Sequence, residues 1–254
     1  MDDSAIKNLW DDRAGRYAAS ANNSFRQSFK LRILEKYARS DSVCLDIGAA
    51  TGLFSIPLAP QVKEIHAIDL SPEMVAQCRV NAEKAGVNNL FVYERSATAP
   101  GFEDASFDLI FSFATLAVVP QVEQAYAEIA RLLKPGGIAV LDITGRHNLS
   151  RRRWERFYRK QGHFGMNYYR LDEIRAIFSA LGLHVLENHC TGLLDQWKYI
   201  PGIHKLKFLD RILHAPQPTP DLDYRVSQKF PRLANHWYFV LQKLPPSQNL
   251  RATA

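Results

Sequence analysis

Cysteine is scarce in this chain. The 254 residues hold three: Cys44, Cys78 and Cys190. They are odd in number and far apart, which argues against a disulfide framework and against the spacing of a zinc site, so no metal is expected. A reducing, cytoplasmic compartment fits best. Long hydrophobic runs are also missing. No window approaches the roughly 18 apolar residues of a membrane span. Yet 46% of the residues are hydrophobic, enough for one sizeable core with an added subdomain. The first residues, MDDSAIKNLWDD, are acidic and lack the apolar stretch of a signal peptide, so no secretory leader is expected. No internal repeat or long low-complexity segment is visible.

What is present is uneven. The net charge of +6 divides into −4 over residues 1–145, +6 over 146–175 and +4 over 176–254. The basic character therefore belongs to the C-terminal part, which bears on the choice of partner.

Strand-like and helix-like segments alternate after Val43. Strands are expected at Val43–Ile47, Glu64–Asp69, Leu90–Glu94, SFDLIFSF and IAVLDIT, the last two being apolar runs of the buried parallel type. SPEMVAQCRVNAEKAG reads as a helix capped by Ser71, with Pro72 at its first position and Gly86 at its end. VEQAYAEIARLLKPGG is amphipathic and is expected to stop at Pro-Gly-Gly. This order predicts βα units on a parallel sheet. Helix-like sequence also spans Phe25–Tyr37, Arg151–Lys160 and RLDEIRAIFSALG, with late strands at LHVLENHC and HWYFVLQKL. Between those strands lie about 45 residues, too long for a routine connection. They read as a helical lid.

The first turn, in CLDIGAATGLFS, poses the functional question. It has no Gly-Lys-Ser/Thr ending, which excludes the usual nucleoside triphosphate cradle. Gly48 and Gly52 match only part of a dinucleotide fingerprint, and a tight turn without a ligand is an alternative. Asp69, at the end of the second strand, shifts the balance. An acid there can accept both hydroxyls of a ribose.

Together, LDIGAATG, AIDLSPEMV, SFDLIFS and LLKPGGIAVLDIT resemble the class I S-adenosylmethionine-dependent methyltransferases of small-molecule type, over about residues 43–144. The resemblance implies an α/β fold: a Rossmann-like sheet, mostly parallel with an antiparallel late strand and helices on both faces; the long connection adds a C-terminal helical cap that matches no part of the family. The chain then divides into an N-terminal helical entry segment (1–40), a core (41–190 and 236–244) and an inserted cap (191–235). The resemblance also implies that S-adenosylmethionine sits on the turn, with Gly48 and Ala49 close to its methionine end. Asp46 would orient the turn or the ammonium, and Asp69 would hold the ribose. Leu70 and Met74 would pack on the adenine, with Ser96 and Ala97 at its amino group. Ser112 and Phe113 would lie near the methyl donor, and Tyr17 could close over the carboxylate. Ala50 stands where the family often has glycine.

Methyl transfer needs an in-line nucleophile, and a base only when the acceptor must lose a proton. The family's usual polar position after the fourth strand reads Ala117-Val118 here, and no Asn-Pro-Pro-Tyr motif is present. The former argues against a base there, the latter against amide or exocyclic base methylation. His147 is the candidate base, with His163, Tyr168 and Tyr169 behind it. RHNLSRRRWERFYRK places Trp154, Phe157 and Tyr158 on one helical face and Arg152, Arg156 and Arg159 on another, with Glu155 and Arg159 spaced to pair. A solvated face is the plain reading. The sharper one is recognition of an acidic acceptor by Arg146, Arg152 and Arg156, with Tyr168, Tyr169 and Trp197 supplying apolar contact. The expected function is methyl transfer to a small or lipophilic, anionic acceptor, at oxygen. RNA or protein methylation, a cofactor-binding regulator without turnover, and sulfonium chemistry other than methyl transfer are the alternatives. Nucleic acid is disfavoured because no RNA-binding module is recognisable, and contact with a membrane surface stays open.

Overall fold

The structure is a computed structural model. It describes residues 4–11, 25–148, 150–163, 165–194, 196 and 220–245. Tyr17, Trp197 and most of the expected cap, 197–219, lie outside the described residues. Among the described residues, no helix is long and apolar enough to cross a membrane.

Two helices come first, α1 (Ser4–Asp11) and α2 (Phe25–Tyr37). Strands and helices then alternate: β1 (Val43–Ile47), the short α3 (Ser55–Leu58), β2 (Glu64–Asp69), α4 (Pro72–Lys84), β3 (Leu90–Glu94), β4 (Phe107–Ser112), α5 (Val122–Leu132) and β5 (Leu133–Thr144). The C-terminal part holds α6 (Arg151–Lys160), α7 (Leu171–Ala180), β6 (Leu183–Thr191), α8 (Pro220–Lys229) and β7 (His236–Lys243). The strands form one sheet in the order β3-β2-β1-β4-β5-β7-β6. β1 to β5 run parallel, and β7 lies antiparallel between β5 and β6. The fold is Rossmann-like, as the resemblance implied, and the alternating elements form the expected parallel βα units.

Alternating side chains separate two packed faces. Cys44, Leu109, Phe111, Val140 and Tyr238 meet Ile33 and Leu34 of α2 on one face. Leu45, Ile47, Ile110, Phe239 and Leu241 meet Tyr126 and Ile129 of α5 and Phe178 of α7 on the other. Ser71 caps α4 as expected, its hydroxyl accepting the Met74 N–H at 3.1 Å.

The Pro-Gly-Gly segment behaves differently from its expected role. Helix α5 stops at Leu132, and β5 already begins at Leu133. Pairing jumps from Phe107↔Leu133 to Leu109↔Ile138, so Lys134–Gly137 form a bulge within the strand. Gly136 adopts φ +81°, and Lys134 Nζ donates to Asp108 at 2.8 Å. The turn residues thus bend an edge of pairing instead of ending a helix.

Helix α2 is part of the domain core, because Leu34 is fully buried. Leu34→Ala should lower unfolding free energy by about 2–5 kcal/mol, the range for truncating a buried leucine. Urea denaturation checks this, and a loss under about 1 kcal/mol would mean that α2 is only loosely docked.

Candidate functional site

β1 lies between β2 and β4, where the direction of chain winding reverses. Ligands in open α/β sheets bind at such switch points, beyond the carboxyl ends of the strands. A part-open cleft lies there, lined by the turn after β1, the end of β2 and the segment after β4.

The floor of the cleft is the turn after β1. Gly48, Ala50 and Gly52 all have positive φ, +77°, +47° and +86°. At Gly48 a side chain is excluded on a second ground: its Cβ would lie 1.9 Å from Thr115 Oγ1. Thr115, after β4, thus closes directly on the turn. The backbone N–H groups of Gly48 and Ala49 donate to Ile68 O at 2.8 and 3.0 Å, fastening the turn to β2.

Asp69 tightens this link. Its Oδ2 accepts the Ala50 N–H at 2.8 Å, and its Oδ1 accepts the Ser71 N–H at 3.0 Å. The carboxylate keeps acceptor capacity for a ligand, and Asp69 lines the cleft. Burial pushes its pKa up, while the N–H groups of Ser71, Ala50 and Leu70 pull it back.

Of the residues expected at a cofactor, Gly48, Asp69, Leu70, Met74, Ser96, Ala97 and Phe113 border the cleft. Ala49, Asp46 and Ser112 lie behind it. Ser112 donates to Ile47 O at 2.8 Å, tying β4 to β1. Asp46 is buried and accepts the Ser55 hydroxyl at 2.5 Å, so it braces the turn from below.

The front wall was not legible in the sequence motifs. Lys7 and Trp10 of α1 border the cleft, as do Val118, Val119 and Pro120. Helix α1 is pinned there by Lys7–Glu94 at 2.7 Å and by an Asp11–Ser71 hydrogen bond. Leu9 packs with Val118 and Tyr158, and Trp154 and Phe157 close around them. The aromatic face of α6 therefore turns inward. Its basic face turns out: Arg152, Arg156, Arg159 and Lys160 border a shallow surface groove away from the cleft. Glu155 pairs back with Arg151 at 2.8 Å, not forward with Arg159. Arg151 is already held 5.1 Å over the Tyr168 ring, which lowers the entropic cost of that pair.

The remaining expected residues also sit apart from the cleft. Arg146 pairs with Glu173 at 3.0 Å. His147 is exposed. The buried Tyr168 donates to Arg151 O at 3.3 Å and Tyr169 to Glu123 at 3.3 Å. His163 is buried, with Nδ1 2.8 Å from Gly165 O.

Comparison with known proteins places this geometry. Residues 45–141 match the family described as "Methyltransferase domain". The chain is 33% identical over 96 residues to aklanonic acid methyltransferase DauC of Streptomyces sp. (strain C5), covering 37% of this chain and 44% of the relative. It is 30% identical over 128 residues to the ubiquinone biosynthesis O-methyltransferase of Xylella fastidiosa (strain 9a5c), covering 50% and 51%. The chain thus spans about half the length of the curated relatives it matches. Among solved structures, the Haloferax volcanii putative methyltransferase complexed with the Trm112 activator shares the fold. Its TM-score is 0.69 at 18% identity, covering 93% of this chain and 98% of that one.

Asp46 offers a test of this construction through pH. Burial, and then the charge of Asp69, raise its pKa from 3.8 to about 7 against the opposing Ser55 hydrogen bond. A raised folded-state value stabilises the fold relative to the ionised group only while the proton is held. The penalty is therefore absent below about pH 4, grows towards about pH 7 and is complete above it. Asp46→Asn keeps the acceptor for Ser55 and should be more stable at pH 8 by an amount on the order of a few kcal/mol. Its Tm should rise by several degrees at pH 8 and stay near wild type at pH 4. Equal Tm differences at the two pH values would refute the assignment.

Proposed function

We propose that residues 45–141, which match the methyltransferase domain family, bind S-adenosylmethionine and that the chain moves its methyl group to a small, lipophilic acceptor, at oxygen. One observation carries this reading: a glycine-hinged turn after β1 and a carboxylate at the end of β2 meet in a single cleft.

The residues fit the cofactor. Gly48 keeps the floor bare where any Cβ would collide with Thr115. Asp69 has acceptor capacity left for a ribose diol. Leu70 and Met74 offer an apolar wall for an adenine, with Ser96 and Ala97 at its edge. Phe113, at the other end of the cleft, would stand near the sulfur. S-adenosylmethionine supplies an already electrophilic methyl group. The protein's part is to position an acceptor and exclude water, and Trp10, Val118 and Val119 suit the second task.

The surplus of positive charge argued for an anionic acceptor. Arg152 and Arg156 lie on the outward face of α6 and Arg146 pairs with Glu173; the cations that do border the cleft are engaged, Lys7 with Glu94 and Arg95 with Pro100 O and Gly101 O, so we read the acceptor as apolar or aromatic instead. The inward packing of Trp154 and Phe157 takes the aromatic face of α6 away from a role in stacking RNA bases. Three relatives are named O-methyltransferases, which supports oxygen as the target, against one named an N-methyltransferase. All three cysteines are free and buried, in keeping with a cytoplasmic enzyme.

Asp69→Ala tests the cofactor assignment. It removes charge-assisted hydrogen bonds worth roughly 1.5–3 kcal/mol each. Affinity for S-adenosylhomocysteine, measured by calorimetry, should fall about a hundredfold or more. Unchanged affinity in a folded variant would remove the assignment.

A further inference from the structure

A second polar group stands at the same end of the sheet, beyond the cofactor cleft. Because β7 is antiparallel, its first residue, His236, lies beside Thr144, the last residue of β5. His236 Nδ1 is 2.9 Å from Asp142 Oδ1. Asp142 is 2% exposed. Its other oxygen, Oδ2, faces the Lys30 ammonium at 3.6 Å but has no hydrogen bond among the described residues. Thr191 of β6 is paired directly across from His236. It too is 2% exposed, and its hydroxyl has no hydrogen bond among the described residues. Buried polar atoms are almost always satisfied. Two such atoms flanking one histidine point to a polar group that this end of the sheet is built to receive.

The patch adjoins the cleft through Phe113, which borders the cleft. Lys30 Nζ sits 4.8 Å from the Phe113 ring centre and 5.2 Å from that of Tyr238. The His236 ring stacks parallel to Tyr238, at 6.1 Å. Flat apolar rings thus lead from the cleft to the histidine.

We infer that Asp142 and His236 act as an oriented base for a hydroxyl of phenolic or enolic type on the acceptor, with Asp142 as the positioning residue. The inference rests on the methyltransferase reading above. A carboxylate can only accept, so it selects the tautomer with the proton on Nδ1 and leaves the Nε2 lone pair for the acceptor. As the acceptor oxygen bonds to the methyl carbon, its proton passes to Nε2. The methyl–sulfur bond breaks, and its electron pair stays on sulfur. Asp142 balances the imidazolium that results. Burial would push the Asp142 carboxyl up, but His236 and then Lys30 outweigh this and hold it below the usual carboxylate range.

The other titratable groups on this face are accounted for. On β6, His189 has both ring nitrogens engaged, Nδ1 with Tyr224 of α8 at 2.9 Å and Nε2 with Glu187 at 2.8 Å. Glu187 also binds Lys36 and Tyr37 of α2. Among the described residues, His236 is the histidine on this face with a ring nitrogen left for an acceptor.

The test combines two readouts. The first is nitrogen NMR of histidine-labelled protein saturated with S-adenosylhomocysteine. His236 should show the Nδ1–H tautomer at neutral pH. Asp142→Asn should mix the tautomers. A ring protonated on Nε2, or one indifferent to Asp142→Asn, overturns the inference. The second is transfer of labelled methyl to catechol. His236→Asn and His236→Gln should each lower kcat by about 10²–10⁴-fold, with S-adenosylhomocysteine affinity within about twofold of wild type. Undiminished transfer in either variant overturns it, as does a wild-type protein that binds S-adenosylhomocysteine yet leaves catechol unmethylated. A wild-type protein that binds no S-adenosylhomocysteine removes the methyltransferase reading itself.

Discussion

The carboxylate of Asp69 is the constraint on which the rest of the site depends. It is the last residue of β2, yet one of its oxygens holds the turn after β1 and the other holds the first residues before α4. Two strand ends and a helix start are thereby locked into one geometry. The same turn is pressed from the β4 side by Thr115 and braced from below by Asp46 and Ser55. Positive φ at three positions within five residues is tolerated because these neighbours over-determine the loop. The result is a rigid floor with bare backbone, formed before any ligand arrives.

The walls follow a different logic. They are apolar and come from elements distant in sequence: α1, the segment after β4 and, behind them, the aromatic face of α6. The charged side of α6 is what composition reveals, and the packed side is what the site uses. Outward arginines beside an inward aromatic face are an ordinary amphipathic arrangement. They separate whatever the surface charge does from the chemistry in the cleft.

Much of this was legible in the chain itself. Ser71 and Pro72 announce the start of α4, and Asp69 two residues earlier announces the proposed ribose site, because capping and strand-end chemistry are local. Gly48 was legible as a tight turn, although the reason for its bareness, Thr115, lies 67 residues away. The early start of β5 was not legible, since a Pro-Gly-Gly bulge and a helix stop use the same residues. Nor was the inward face of α6, because an amphipathic pattern shows that two faces differ without showing which one meets a neighbour. Asp142 and His236 are 94 residues apart and are joined only by the antiparallel insertion of β7. His147, nearer to the motifs in sequence, is exposed instead.

The central claim is that the cleft between the β1 turn and Asp69 is an S-adenosylmethionine site. A crystal structure of the full chain with S-adenosylhomocysteine tests it most directly. The expected result places the ribose hydroxyls within hydrogen-bond distance, about 3 Å, of the Asp69 carboxylate, the adenine between Leu70 and Met74, and the sulfur beside Phe113. A nucleoside bound elsewhere, or bound here with its ribose turned away from Asp69, would contradict it.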